Sequence, residues 1–173
     1  MLFKLAHSRL RAALVATAVA AMIAVAASVA SGSPSASQSS RSLWATINVC
    51  KSSHPRLGIR GQMPGDGTHE QMFMRFTAQF HNSSGWHALG GRARSPWVHA
   101  GSAFNKFQQT GWTFDLNKPS SGSSFLLRGF VEFQWRNGSR VVRRAHTNTK
   151  GGHPGTVGAQ PRNFSAATCR VHG

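Results

Sequence analysis

The fold is decided by residues 125–142, which read FLLRGFVEFQWRNGSRVV. Large apolar side chains alternate there with charged or polar ones, and this period of two is typical of a strand with one buried face. The apolar set is Phe125, Leu127, Val131, Phe133 and Trp135, against Arg128, Glu132, Gln134 and Arg136. Asn137-Gly138 follows directly, and this dipeptide favours a type I′ turn with positive φ at both central residues. The stretch therefore predicts two antiparallel strands joined by a tight hairpin.

The same alternation recurs on both sides of this hairpin. It predicts further strands at 44–50, 72–80, 112–116, 141–147 and 163–171. Between them lie turn-forming clusters such as Met63-Pro64-Gly65-Asp66-Gly67. The sequence therefore predicts an all-β fold, a single antiparallel β-sandwich of Ig-like type spanning residues 43–173, which is long enough to bury a core of its own.

The N-terminus has the layout of a secretory signal peptide. Lys4, Arg9 and Arg11 precede an uncharged, alanine-rich run that ends at Ala30. We expect a signal peptide at 1–30 and a Ser-rich linker at 31–42, with cleavage near Ala36 and an uncleaved anchor as the alternatives. The expected product is a secreted, extracellular protein without stable membrane insertion.

Basic residues outnumber acidic ones, 20 against 4, for a net charge of +16. Without residues 1–30 the balance is 17 against 4, or +13, and 13 of those 17 cations are arginine. Arginine favours flat, bidentate contact with phosphate or carboxylate. Two interpretations stay open: an anion-binding surface, or the arginine-rich codon usage of a high-GC genome.

The chain has two cysteines, Cys50 at the end of the first predicted strand and Cys169 in the last. Export to an oxidising compartment favours a disulfide between them. The bond would make the first and last strands neighbours. Neither cysteine belongs to a recognised metal motif, so we expect no metal site and no cofactor there.

The chain resembles small secreted Ig-like or fibronectin-like β-sandwich proteins. The resemblance rests on the terminal cysteines, on the Leu127 to Arg136 strand with its Asn-Gly hairpin, and on the Ser-Ala-Ala-Thr-Cys sequence that ends at Cys169. The alanine-rich leader is similar to those of actinomycete-like bacteria. The resemblance implies the sandwich fold and leaves function open, since such folds serve adhesion, ligand binding and scaffolding alike. The sequence departs from antibody domains because it has no tyrosine for a tyrosine corner.

Arginines cluster beside aromatic residues, which predicts an anion-binding surface. The candidate residues are Arg92, Arg94, Arg128, Arg136, Arg140, Arg143 and Arg144. Trp86 and Trp97 fall in a predicted loop region, where they either contact sugars or bases by stacking or cap an end of the sandwich. Trp44, Trp112 and Trp135 are in phase with core residues. The expected function is non-enzymatic binding of an anionic polymer (polysaccharide, teichoic acid or nucleic acid) at the cell envelope by a monomer.

Two other functions stay open. A small secreted hydrolase would use the loop that carries Asp66, His69 and Glu70, with His54 upstream. This spacing matches no known metal motif, and only four acidic residues are available for paired-carboxylate catalysis. A protein-interaction or inhibitor module would present Trp86 and Trp97 to an unknown protein. No catalytic or metal-binding residue is predicted for the leading hypothesis.

Overall fold

The computed structural model describes residues 43–173, so the predicted signal peptide (1–30) and linker (31–42) lie outside the described residues. The described part contains nine strands and one 3₁₀ turn, Gly91–Ala93, and no α-helix. The strands are β1 (Trp44–Lys51), β2 (Arg56–Pro64), β3 (Gln71–Asn82), β4 (Gly85–Ala88), β5 (Val98–Ser102), β6 (Phe107–Asp115), β7 (Ser124–Asn137), β8 (Arg140–Asn148) and β9 (Cys169–His172). No helix within residues 43–173 is long and apolar enough to span a membrane. The prediction of an all-β fold is confirmed.

The strands form two antiparallel sheets. The small sheet has the order β1-β2-β6. In the large sheet the long strands β3 and β7 pair over ten residues at the centre, from Gln71 with Arg136 to Phe80 with Leu127. β4 and β5 pair with the outer edge of β3, whereas β8 and β9 pair with the outer edge of β7. The two central strands therefore present the longest continuous faces of the molecule.

The core lies between residues of both sheets. Alternation along β3 and β7 buries Met74, Phe76, Val131 and Phe133 completely, and β2 contributes buried side chains such as Ile59. Gly129 of β7 faces Ile59 so closely that an added Cβ would lie 2.7 Å from its Cδ1. The glycine lets side chains of the small sheet reach the backbone of the large one.

The predicted disulfide is present. Cys50 and Cys169 are bonded with their Cα atoms 5.6 Å apart, and the bond closes 119 residue steps of chain. Cys50 belongs to β1 of the small sheet and Cys169 to β9 of the large sheet. The first and last strands are therefore neighbours through a covalent link between sheets, without pairing to each other.

Three strands were not predicted: β2, β4 and β5. In β2, Gly61 stands where the alternation of Leu57, Ile59 and Met63 would place an apolar side chain, and Gly58 lies between the first two of these. Both positions are occupied by glycine because other atoms come close: an added Cβ would meet Val49 at 2.8 Å at Gly58 and Met74 Sδ at 2.9 Å at Gly61. The final strand is shorter than predicted, since only Cys169–His172 pairs regularly.

The hairpin between β7 and β8 confirms the predicted antiparallel pairing but not the predicted turn. Asn137 pairs with Arg140, so the two turn residues are Gly138 and Ser139. Gly138 has φ 56°, and neither Asn137 nor Ser139 has positive φ. Positive φ at the first central residue alone is the pattern of a type II′ turn. Asn137 continues the strand, and glycine takes the strained position.

Candidate anion-binding face

The outward face of the large sheet gathers arginine and aromatic side chains. It is built by the residues of β3, β7 and β8 that alternate with the buried ones, together with side chains from β4 and from the segment before β5. We call this surface the arginine–aromatic face. Its members are Phe73, Arg75, Trp86, Arg94, Trp97, Arg128, Phe130, Glu132, Arg136, Arg144 and His146. Five arginines and a single carboxylate give the face a strong positive charge.

Three of these five arginines lie over aromatic rings. The guanidinium carbon of Arg128 is 4.4 Å from the ring centre of Trp86. At the other end of the face, Arg75 lies 4.3 Å from the ring of Trp97, and Arg136 lies 4.2 Å from the ring of Phe73. Such cation–π contacts attract each guanidinium to the face of its ring and restrict where the side chain lies.

Two glutamines complete the positioning of Arg128 and Arg136. Arg128 donates Nε–H to Oε1 of Gln79 at 2.7 Å, and Arg136 donates Nε–H to Oε1 of Gln134 at 2.9 Å. Within residues 43–173 the two terminal nitrogens of each guanidinium have no acceptor. The side chains are therefore fixed by stacking and by Nε, while the fork of terminal N–H groups that binds phosphate or carboxylate stays available.

Glu132 occupies the centre of the face. Arg75 binds it in bidentate fashion at 2.9 and 2.8 Å, and Arg94 adds a third bond at 2.8 Å. Burial of the carboxyl raises its pKa, but the hydrogen bonds and the charges of Arg75 and Arg94 outweigh burial, so the pKa lies below its usual value. Glu132 is therefore ionised at neutral pH and neutralises part of the charge of these two arginines.

Two hollows flank this central ion-pair cluster. One, of about 280 Å³, is lined by Trp97, Phe130, Arg144 and His146, among others. The other, of about 330 Å³, lies between Phe130 and the chain segment at Arg94. The rings of Phe130 and His146 pack with centres 5.4 Å apart, and Arg144 has no acceptor among the described residues. The face thus offers planar rings and unpaired cations side by side.

The predicted arginines separate into two groups. Arg94, Arg128, Arg136 and Arg144 lie on the face, as defined above. Arg140 is exposed beside the hairpin turn at the end of this sheet, and Arg92 lies in the 3₁₀ turn, where it lines a separate hollow of about 520 Å³.

Arg143 points to the opposite side of the sheet. Its guanidinium lies 3.8 Å from the ring centre of the buried Trp135 and donates to Asp66 at 2.9 Å. The sequence cluster Arg140, Arg143 and Arg144 is divided because successive strand residues point to opposite faces. The charge of Arg143 is paired within the protein.

The tryptophans occupy more varied places than predicted. Trp86 belongs to β4, next to the turn that joins β3 and β4, and Trp97 precedes β5; both are half-buried on the arginine–aromatic face. Trp135 is fully buried as predicted, whereas Trp112 is 38% exposed because β6 is an edge strand. Trp44 is half-buried and stacks on His153, with ring centres 4.4 Å apart.

Sequence reasoning missed the part that Phe130 plays and the convergence of Arg75 and Arg94 on Glu132. Phe130 shares the parity of Arg128 and Glu132 in β7, and this signal in the sequence places it on the outward face. The Arg94 contact depends on the path of the chain after β4, which no local pattern specifies.

The loop of the hydrolase hypothesis is engaged in other contacts. Asp66 accepts bonds from Thr68 and Arg143, and the ring of His69 stacks on Phe104 with centres 5.5 Å apart. Burial raises the pKa of Asp66, but the bonds from Thr68 and Arg143 prevail and lower it. Among residues 43–173 no group of three His, Cys, Asp or Glu side chains is placed to hold a metal ion.

Comparison with known proteins gives no information on the function of this face. No protein-family model matches the chain, and neither a curated protein nor a solved structure matches it.

Proposed function

We propose that the protein binds an anionic polymer through the arginine–aromatic face, without chemical turnover. The observation that carries the proposal is the way in which Arg128 and Arg136 are held. Each is stacked on an aromatic ring and bonded through Nε to a glutamine, with its terminal nitrogens unpaired among the described residues. An arginine that only solubilises a surface needs no such positioning.

The arrangement of the charges favours a polymer over a small anion. Arg128 and Arg136 are eight residues apart on β7, a separation of about 26 Å along an extended strand. Arg144 and the rings of Trp97 and Phe130 lie between or beside them. A row of guanidiniums and ring faces fits a chain with repeated phosphate or carboxylate groups and stackable sugars or bases. Polysaccharide, teichoic acid and nucleic acid share this chemistry.

The setting we propose is extracellular. The disulfide between Cys50 and Cys169 is typical of oxidising compartments. Together with the alanine-rich leader of the sequence, it supports a secreted protein, which we propose acts as a monomer at or beyond the cell envelope. Two antiparallel sheets with a shared apolar core support an Ig-like β-sandwich as the fold that presents the face.

Retention on immobilised heparin across a sodium chloride gradient tests this function. We expect elution well above physiological ionic strength, roughly 0.15 M, because several fixed guanidiniums must release the polymer together. A parallel column carrying single-stranded DNA separates general polyanion binding from preference for a sugar chain. Elution from both columns at or below physiological salt would contradict the proposal.

The variant Arg128→Gln with Arg136→Gln identifies the face that binds. The matched control is Arg92→Gln with Arg162→Gln, which removes the same charge from exposed positions outside the face. We expect the first pair to elute at clearly lower salt than the control pair. Equal losses for both pairs would mean that total charge, not the face, determines retention.

A further inference from the structure

Arg60 lies on the outward face of the small sheet, away from the arginine–aromatic face. It is half-buried in β2 and pairs in register with Gly111 of β6. Its side chain lies across that glycine: an added Cβ at position 111 would be 2.8 Å from Cδ and 3.2 Å from Nη1 of Arg60. Glycine at position 111 therefore provides the surface on which the guanidinium rests.

The guanidinium of Arg60 has no acceptor among the described residues. Its Nε is buried without a hydrogen-bond partner. Three of the four acidic residues of the chain are paired with other arginines: Asp66 with Arg143, Asp115 with Arg56, and Glu132 with Arg75 and Arg94. Burial lowers the pKa of Arg60, which reflects the cost of holding this cation out of water.

Arg143 shows how the protein treats a comparable arginine elsewhere. Its Nε is also buried without a partner, but its Nη2 donates to Asp66 and its guanidinium carbon lies over the ring of Trp135. Arg60 has neither a carboxylate nor a ring beneath it. A half-buried cation whose Nε is buried without a partner is costly, so Arg60 is suited to bind an anion from outside the chain.

A hollow of about 330 Å³ opens beside Arg60, and its lining includes Asn48, Trp112, Thr113, Val157 and Gly158. Its rim at Val157 is fixed by Asn48, whose Nδ2 donates to the Val157 carbonyl at 3.2 Å. The backbone N–H of Gln160 in turn donates to the Asn48 carbonyl at 2.8 Å. No acidic side chain lines the hollow, so its charge is that of Arg60.

We propose that this hollow is a second binding site, in which Arg60 takes a single carboxylate or phosphate group. The site differs from the arginine–aromatic face in kind: one guanidinium in a walled hollow binds one anionic group, whereas the face presents a row. The hydroxyl of Thr113 and the half-exposed Trp112 provide a polar and an apolar side for the body of the ligand. A small acid or a phosphate monoester fits this chemistry.

The arginine side-chain Nε–Hε signals in a ¹⁵N NMR spectrum test the proposal directly. Inorganic phosphate and, separately, acetate are added to the whole protein at constant ionic strength. We expect a saturable shift of the Arg60 signal, with accompanying shifts of the Gly111 and Gly158 amides. The anion that saturates the shift at the lower concentration identifies the preferred group. The exposed Arg92 is the internal control and should show only a weak, unsaturated shift.

The variant Arg60→Lys keeps the charge but loses the planar fork. We expect it to bind about tenfold more weakly, the loss of one charge-assisted hydrogen bond. An Arg60 signal that shifts no more than that of Arg92 with both anions would overturn the proposal, as would unchanged affinity in Arg60→Lys. The result is independent of polymer binding, because it is read at residues of the small sheet, and the wild-type titration stands even if the variant does not fold.

Discussion

The inner and outer faces of the large sheet are made by the same strands but treat charge in opposite ways. On the inner side Arg143 covers the ring of Trp135, and Asp66 neutralises it. On the outer side Arg128 and Arg136 are also stacked on rings, but their partners are neutral glutamines that accept only Nε–H. The difference teaches that an arginine stacked on a ring is neutralised where a carboxylate also binds it. Where no carboxylate binds it, the stacked arginine keeps its charge available to a ligand.

The largest expected effect is on stability, and it should distinguish the inner face of β7, which belongs to the core, from its outer face, which belongs to the arginine–aromatic face. Phe133→Ala removes a fully buried ring of β7 and should lower the free energy of unfolding by about 3–5 kcal/mol. Phe130→Ala, on the outward side of the same strand, should cost about 1 kcal/mol or less. Urea unfolding followed by tryptophan fluorescence measures both. Similar losses in the two variants would show that the outer face is also part of the core.

Removing the disulfide is a second way to change the stability of the fold without changing the binding face. Replacing both Cys50 and Cys169 by serine removes a cross-link over 119 residue steps and should cost about 2–5 kcal/mol of stability. The bond joins β1 to β9 and touches no member of the arginine–aromatic face. While the variant remains folded, its affinity for heparin should therefore equal that of the native protein. A parallel loss of affinity would mean that the face depends on the link between sheets.

Glu132 should stabilise the fold but weaken the binding of polyanions. The pKa of Glu132 is lower in the folded protein than in the unfolded chain, where it is about 4.3. The stabilisation by Glu132 is therefore fully present above the unfolded pKa and is lost as the pH falls through the lower folded pKa. Glu132→Gln should cost about 1–2 kcal/mol at pH 7, because Arg75 and Arg94 lose a charged acceptor. The difference from the native protein should shrink as the pH falls below the unfolded value.

The same variant should bind polyanions more tightly, since it removes the carboxylate that neutralises Arg75 and Arg94. Thermal or urea unfolding at several pH values gives the first effect, and heparin retention gives the second. A stability difference that persists unchanged at pH 3, or weaker retention, would contradict the role assigned to Glu132.

The sequence predicted the features that follow from local alternation and from the cysteines. The burial of Phe133 and Trp135, the outward direction of Arg128 and Arg136, and the Cys50–Cys169 bond were all accessible in this way. β2 was missed because its glycines serve contacts with residues distant in sequence, such as Met74 against Gly61. The stacking partners of the arginines were missed for the same reason: Trp86 reaches Arg128 only through the pairing of β4 with β3 and of β3 with β7.

Alternation also shows why the arginines after the hairpin do not form one cluster. Arg143 and Arg144 are neighbours in the chain, and they lie on opposite faces of β8 with different environments. Asp66 as the partner of Arg143 is 77 residues away, so the sequence alone could not distinguish the neutralised arginine from the free one. A count of basic residues therefore overstates the charge available to a ligand.

The salt dependence of binding to a fluorescent oligothymidylate tests most directly whether the arginine–aromatic face is the binding site. The affinity is measured by anisotropy from roughly 0.05 to 0.3 M sodium chloride. The five arginines and one carboxylate of the face leave a net charge of +4, and neutralising about four phosphates gives a slope of about −3 when the logarithm of the association constant is plotted against the logarithm of the salt concentration. We predict that Arg128→Gln with Arg136→Gln brings the slope to about −1.4, while Arg92→Gln with Arg162→Gln leaves it near −3. An equal reduction by both pairs, or no change with the first, would contradict the account.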